Sequence, residues 1–135
     1  MKLENNIKLI KSEKGTLFPI NLPEIPFDVK RVFVTYGVPR GEIRGRHAHY
    51  ETKQFLFCLK GEIEIETIDR DGETNVSVMR ERDNYYHSEA EWATIKFLTG
   101  EDMMLSLCST EHNEGDYIRD FNKFREVYNV ERRYS

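Results

Sequence analysis

Two imidazoles stand two residues apart in Gly41-Glu-Ile-Arg-Gly-Arg-His47-Ala-His49, just ahead of the apolar run Phe55-Leu-Phe-Cys-Leu59. On an extended strand, residues i and i+2 point to one face. His47 and His49 are therefore expected to look together into whatever the sheet encloses. Rings that titrate near neutrality on one inner wall suit either a metal site or acid/base chemistry on a bound small molecule. The spacing alone does not choose between the two.

The elements that must position these rings read as strands. Strand signals recur roughly every eight to twelve residues, separated by turn residues, the pattern of a sandwich or barrel. Thr16–Ile20 is expected as a short edge strand broken by its proline. Asp28–Tyr36 alternates, with Val32 and Val34 sharing a face with Tyr36, and Arg31, Phe33 and Thr35 on the other. Gln54–Lys60 reads as a buried strand. Glu62–Ile68 follows after the Lys60-Gly61 turn, with Ile63, Ile65 and Thr67 facing in and Glu62, Glu64 and Glu66 facing water. Asp71-Gly72 marks a hairpin whose return strand is Asn75–Arg80. Trp92–Leu98 and Met103–Ser109 complete the strands, and Phe121–Tyr128 is read as one or two helical turns. The fold class is all-β: a small antiparallel barrel with a short C-terminal helical appendage, with residues 1–135 as a single domain.

Composition excludes several function classes. A net charge of −4 with no Lys/Arg block argues against a nucleic-acid surface, while leaving room for a few arginines to hold one phosphate group. No apolar run approaches the length of a membrane span, and the N-terminal residues lack the apolar core of a signal peptide. Cys58 and Cys108, each inside an apolar strand, are expected as buried free thiols in a reducing cytoplasm. His87 and His112 are expected in surface or loop positions, and Glu131–Ser135 as a frayed tail.

The spacing Gly41-x5-His47-x-His49-x4-Gln54-x6-Gly61 resembles the first motif of the cupin superfamily, a family of jelly-roll barrels. Metal-binding cupins carry a glutamate at the place of Gln54 and a further histidine where this chain has Ala93. A neutral amide is a weaker ligand than a carboxylate, and borderline divalent ions want three or four protein donors. The reading is therefore a site without metal. Further residues sharpen the resemblance. Lys30-Arg31-Val32, Arg44-Gly45-x-His47-Ala48-His49 and Gly115-Asp116-Tyr117-Ile118-Arg119-Asp120-Phe121-x-x-Phe124 together resemble the WxcM-like sugar 3,4-ketoisomerases, over about Pro26 to Phe124. This chain differs from their pattern at Phe33 and Val34, where they carry tyrosines, and at Ala93.

The resemblance implies a cytoplasmic, homodimeric cupin, with residues 1–20 as a strand-exchange arm and 26–124 as the family-like core. It implies a dTDP-linked 4-keto-6-deoxyhexose as substrate, a keto group moved between C4 and C3, and no cofactor. The product would feed the making of 3-amino-3,6-dideoxy sugars for surface glycans such as lipopolysaccharide. By the same resemblance His47 and His49 are the acid/base pair, and Tyr36 is a phenol that binds the hexose or relays a proton. Arg44 would sit near the pyrophosphate or the developing enolate charge, Arg31 is a secondary candidate for the phosphates, Gln54 would orient a histidine or a sugar hydroxyl, and Trp92 is a core or pocket-wall aromatic on which a base or sugar could stack. The rival readings are a 3,5-epimerase-like cupin, a non-catalytic nucleotide-sugar-binding cupin and a metal-dependent cupin.

Overall fold

Alternation of apolar and polar side chains sets the faces of two antiparallel sheets. The computed structural model of the protein describes residues 9–130. A small hairpin pairs β1 (Ile10–Ser12) with β2 (Gly15–Leu17). One sheet has the order β3 (Arg31–Tyr36), β10 (Met103–Cys108), β5 (Gln54–Lys60), β8 (Asn84–His87). The other has the order β11 (Tyr117–Ile118), β4 (Ile43–His49), β9 (Trp92–Phe97), β6 (Glu62–Ile68), β7 (Thr74–Arg80). The chain ends in helix α1 (Phe121–Tyr128), capped by the Asp120 side chain on the Asn122 N–H.

The main core lies between the sheets. Leu56, Cys58, Tyr85 and Met104 from the first meet Ile63, Ile65, Met79, Ile95 and Phe97 from the second. Each such side chain contributes roughly 1.5–3 kcal/mol when fully buried. The outer face of the first sheet is covered by Phe18, Ile20, Ile25 and Phe27, packed on Phe55, Phe57 and Leu107. The outer face of the second is covered by α1, whose Phe124 packs with Ala48, Trp92 and Ile118. This is the expected all-β jelly-roll class with a short C-terminal helix. Gln54–Lys60 and Glu62–Ile68 fall on the expected bounds, and Ile63, Ile65 and Thr67 are buried.

The N-terminal expectation is corrected. The strand lies at Gly15–Leu17, ahead of the proline, and Ile10–Ser12 adds a strand the sequence did not announce. Both are exposed, so no buried apolar face marked them. Residues 1–8 of the expected arm and the tail Glu131–Ser135 lie outside the described residues. Cys58 and Cys108 are both buried and free.

One glycine is required by packing. Gly61 has φ +86°, and a Cβ there would overlap the Asp102 carboxylate. That buried carboxylate accepts hydrogen bonds from the backbone N–H groups of Glu62, Thr99 and Gly100 and from the Thr99 hydroxyl, tying two turns together at one end of the fold.

Candidate active site

A cavity of about 370 Å³ opens between the inner faces of the two sheets. Phe33, Thr35, Gln54 and Ser106 line it from one side, and Arg44, His47 and Ile95 from the other. Tyr117 and Arg119 stand at its edge.

Local backbone geometry brings the β4 side chains to this cavity. Arg44 pairs with Ile95 and His47 with Ala93, although Arg44 and His47 are three residues apart. Ile95 and Ala93 share one face of β9, so Arg44 and His47 do too. The parity is restored by a bulge at Arg46, which adopts a left-handed φ of 55°. Gly45, at φ +83°, lets this bend lie close against the Ala93 carbonyl.

His47 and His49 do face the same side, with ring centroids 4.9 Å apart. They differ in depth: His47 lines the cavity, while His49 is 1% exposed and lies beneath it. Tyr117 covers His49. Register places Tyr117 opposite His49, with ring centroids 4.4 Å apart, and its ring is 5.2 Å from that of His47. Asp116 secures this placement. Its carboxylate accepts from the Glu51 and Thr52 N–H groups and from the Thr52 hydroxyl, and its carbonyl accepts from the Tyr50 N–H. The β4–β5 turn is thereby stapled to the segment carrying Tyr117.

A third ring joins the pair. His87 is fully buried, 5.9 Å from His49 and 6.3 Å from His47 by ring centroids. This overturns the surface placement expected for it. Its strand β8 pairs with β5, and Gln54, directly opposite, lies within hydrogen-bond distance of its Nδ1. The sequence carried a partial signal, since His87 ends the run Asn84-Tyr-Tyr-His87, but nothing in that run shows which face turns inward. His112 is exposed, as expected.

Electrostatics keep the three rings uncharged. Burial lowers His47 to about 4, against the pull of the Gly45 backbone and with some help from Arg119. Burial lowers His49 to about 2, and the nearby His87, His47, Arg31 and Arg119 add to the effect. Burial also lowers His87 to about 4. In all three, burial favours the neutral imidazole. Among the described residues, His47 Nδ1 and both ring nitrogens of His49 have no hydrogen-bond partner. They are buried polar groups left for something else to satisfy.

The remaining expected site residues divide. Arg44 borders both the cavity and an adjoining groove along β3. Gln54 lines the cavity and orients His87. Arg31 lies off the cavity wall, with its guanidinium on the Cys108 sulfur at 3.4 Å and 5.3 Å from the Phe33 ring centre. Tyr36 is not brought to the cavity: it is 70% exposed, on the face of β3 opposite to Phe33 and Thr35. The alternation of β3 forces this, because position 36 shares parity with Val32 and Val34. Trp92 is likewise not a pocket wall. It is buried under α1, 5.3 Å from Phe121 and 5.9 Å from Phe124, because β9 turns Ala93 and Ile95 inward and Trp92 outward.

Tyr117 and Arg119 are cavity residues to which the sequence attached no role. Both lie in the Gly115–Phe121 segment that carried the family resemblance, so the signal was present without a role attached. Arg119 is stacked 4.1 Å from the Tyr117 ring centre and paired with Glu114 at 2.6 Å. Among the described residues no group of three His, Cys, Asp or Glu side chains is arranged to hold a metal ion, and both nitrogens of His87 are already engaged.

Comparison with known proteins agrees with this geometry. Residues 2–129 match the family described as WxcM-like, C-terminal (FdtA). The chain is 30% identical over 121 residues to a TDP-4-oxo-6-deoxy-alpha-D-glucose-3,4-oxoisomerase of Aneurinibacillus thermoaerophilus, covering 89% of this chain and 87% of that protein. It is similar to a 3,4-ketoisomerase from Helicobacter canadensis, with TM-score 0.83 and 28% identity over 92% of this chain and 94% of the other. It is also similar to a substituted form of the 3,4-ketoisomerase QdtA from Thermoanaerobacterium thermosaccharolyticum, solved with TDP-4-keto-6-deoxyglucose. There the TM-score is 0.82 and the identity 28%, over 95% of this chain and 92% of the other.

Proposed function

This chain belongs to the WxcM-like, C-terminal family, and from that premise we propose that it is a sugar 3,4-ketoisomerase acting on a dTDP-linked 4-keto-6-deoxyhexose by histidine acid/base catalysis. The observation that carries the reading is the set of neutral, unpartnered imidazole nitrogens at and beneath the wall of a cavity with arginines at its rim.

The chemistry needs two proton sites and an anion site. A base takes the C3 proton, the C3–C4 double bond forms, and the electrons move onto O4, which is then protonated. Loss of the O3 proton with protonation at C4 completes the transfer, so one hydrogen passes from C3 to C4 and one from O3 to O4. In this reading His47, which faces the cavity, takes the C3 proton. His49 holds the second proton site, and Tyr117, whose ring lies against it, supplies the phenol expected of Tyr36. General acid/base groups of this kind contribute roughly 10²–10⁴ in rate when held in place. Arg44, with Arg119 at the rim, binds the diphosphate, and that dianion offsets the smaller, cationic part of what disfavours a proton on either ring, the larger part being burial.

The same reading includes a homodimer with exchange of N-terminal strands. Its support is the run of exposed apolar side chains on the outer face of edge strand β3, Val32, Val34 and Tyr36, together with Ile10 and Leu17 in the hairpin. Residues 1–20 serve as the exchanged arm of a single cupin domain. A cytoplasmic location is supported by the two buried free thiols. Among the described residues no helix is long and apolar enough to cross a membrane. The product supplies a 3-keto sugar to an aminotransferase in the making of surface glycans, and the isomerase works without a bound cofactor.

Proton NMR of dTDP-4-keto-6-deoxyglucose with the protein in D2O tests the reading. Conversion to the 3-keto sugar with deuterium entering at the exchanged ring carbons is expected. Deuterium at C5 would point to epimerase chemistry, and an unchanged spectrum would refute the isomerase reading.

A further inference from the structure

One row of four side chains crosses the sheet β3-β10-β5-β8 at a single level. Arg31 stands opposite Cys108, Cys108 opposite Gln54, and Gln54 opposite His87. Residues directly opposite one another project to the same face of a sheet. Contacts join the row in series: Arg31 Nη2 to the Cys108 sulfur at 3.4 Å, Gln54 Nε2 to the same sulfur at 3.5 Å, and Gln54 Oε1 to His87 Nδ1 at 3.3 Å. It ends at the Glu91 carbonyl, 2.8 Å from His87 Nε2.

Two proton arrangements satisfy this row, and both hold the same number of protons. With the amide oxygen of Gln54 toward His87, the ring meets two carbonyl oxygens and must donate from both nitrogens, as an imidazolium. The sulfur then accepts twice, as a thiolate. With the amide turned over, Arg31 donates to the sulfur, the thiol donates to Gln54 Oε1, and Gln54 Nε2 donates to His87 Nδ1. His87 Nε2–H then donates to the Glu91 carbonyl. From Cys108 to His87 every group then donates once toward the next and accepts once from the last. Amide orientation follows from such a network. Cys108 and His87 are 0% exposed and Gln54 is 4% exposed, so an internal thiolate–imidazolium pair would forgo solvation that the neutral arrangement never needs.

We propose that Gln54 and Cys108 are positioning residues that hold His87 as the neutral Nε2–H tautomer beneath His47 and His49, so that the reacting rings remain free to take up a proton. This rests on the acid/base reading of His47 and His49. A positive charge on His87, 6.3 Å from the His47 ring and 5.9 Å from that of His49, opposes the imidazolium that either must become when it removes the C3 proton. A glutamate at position 54 would accept from His87 Nδ1–H and favour that charge. Gln54 is the residue type that orients the ring without charging it.

The test is long-range 15N–1H NMR of the His87 ring in the ligand-free full chain at pH 7, alongside kinetics of variants. The neutral Nε2–H tautomer is expected. An imidazolium or an Nδ1–H tautomer overturns the proposal whether or not the protein turns over a sugar. Failure of the isomerase reading shows separately, as absence of turnover with the tautomer unaffected. Gln54→Glu is expected to give the His87 imidazolium and to lower kcat by about tenfold or more with KM changed far less. An unchanged kcat with a charged ring overturns the role. Cys108→Ala, which frees the Gln54 amide, is expected to give mixed His87 tautomers and a lower kcat. Cys108→Ser keeps a donor and an acceptor and is expected to restore both. Equal behaviour of the Ala and Ser variants also overturns the role, and this pair serves if Gln54→Glu does not fold.

Discussion

Acid should destabilise this protein before its ordinary carboxylates titrate, and His87 offers a measurable share of that effect. The ring is fully buried, and burial lowers it from 6.5 to about 4. As pH falls from 6.5, the unfolded chain takes up a proton at this residue while the folded chain does not. Folding stability therefore rises with pH through the window from about 4 to 6.5 and is level above it. The slope approaches about 1.4 kcal/mol per pH unit, so the full window is worth about 3 kcal/mol. His47 and His49, also lowered, act with the same sign. Glu91 acts with the opposite sign, because burial raises its carboxyl, and the stability it contributes at low pH is lost as pH rises. The difference between wild type and His87→Gln isolates the single ring. Urea unfolding followed by Trp92 fluorescence, at several pH values from 7 to 4.5, measures it. Wild type is expected to lose about 2–3 kcal/mol more than the variant across that range. Parallel curves for the two proteins would falsify the account of His87 as a ring buried in its neutral form.

Other outcomes follow from the same geometry. His47→Asn should cut turnover at least about a hundredfold in the NMR assay while thermal unfolding shifts by only a few degrees. A variant with more than a tenth of wild-type rate would remove His47 from the base role. Tyr117→Phe should lower kcat by about tenfold or more, whereas Tyr36→Phe, altered at an outward-facing ring, should leave kcat unchanged; the reverse pattern would restore Tyr36 to the site. Gly61→Ala should cost about 2 kcal/mol or more in urea unfolding, since the added methyl displaces the Asp102 carboxylate from four hydrogen-bond donors. Asp116→Ala should cost about 2 kcal/mol, because it leaves the buried Thr52 N–H without an acceptor and the Thr52 hydroxyl with only that of Thr110, and should lower kcat through the loosened Tyr117.

Much of the scaffold was legible in the residues taken in order. Period-two alternation placed Ile63, Ile65 and Thr67 inside and the glutamates outside, because a strand flanked by one core and one solvent face has no other stable pattern. The same rule, followed strictly, already set Tyr36 apart from Arg31, Phe33 and Thr35. The His47/His49 spacing announced a shared face, and Gln54 and Gly61 completed a motif specific enough to suggest the chemistry. What the chain order could not supply was depth and lateral company. His49 is neighbour to Tyr117 only because β11 returns beside β4, 68 positions later in the numbering. His87 meets Gln54, and Cys108 meets Arg31, through strand pairings set by the topology of a whole sheet. The bulge at Arg46 turns Arg44 and His47 to one side, against their sequence parity. Local composition encodes which face of a strand is wet, since that is decided by each side chain's transfer from water. Which polar groups end up sharing a buried row depends on pairings between distant segments, and only the folded sheets decide those.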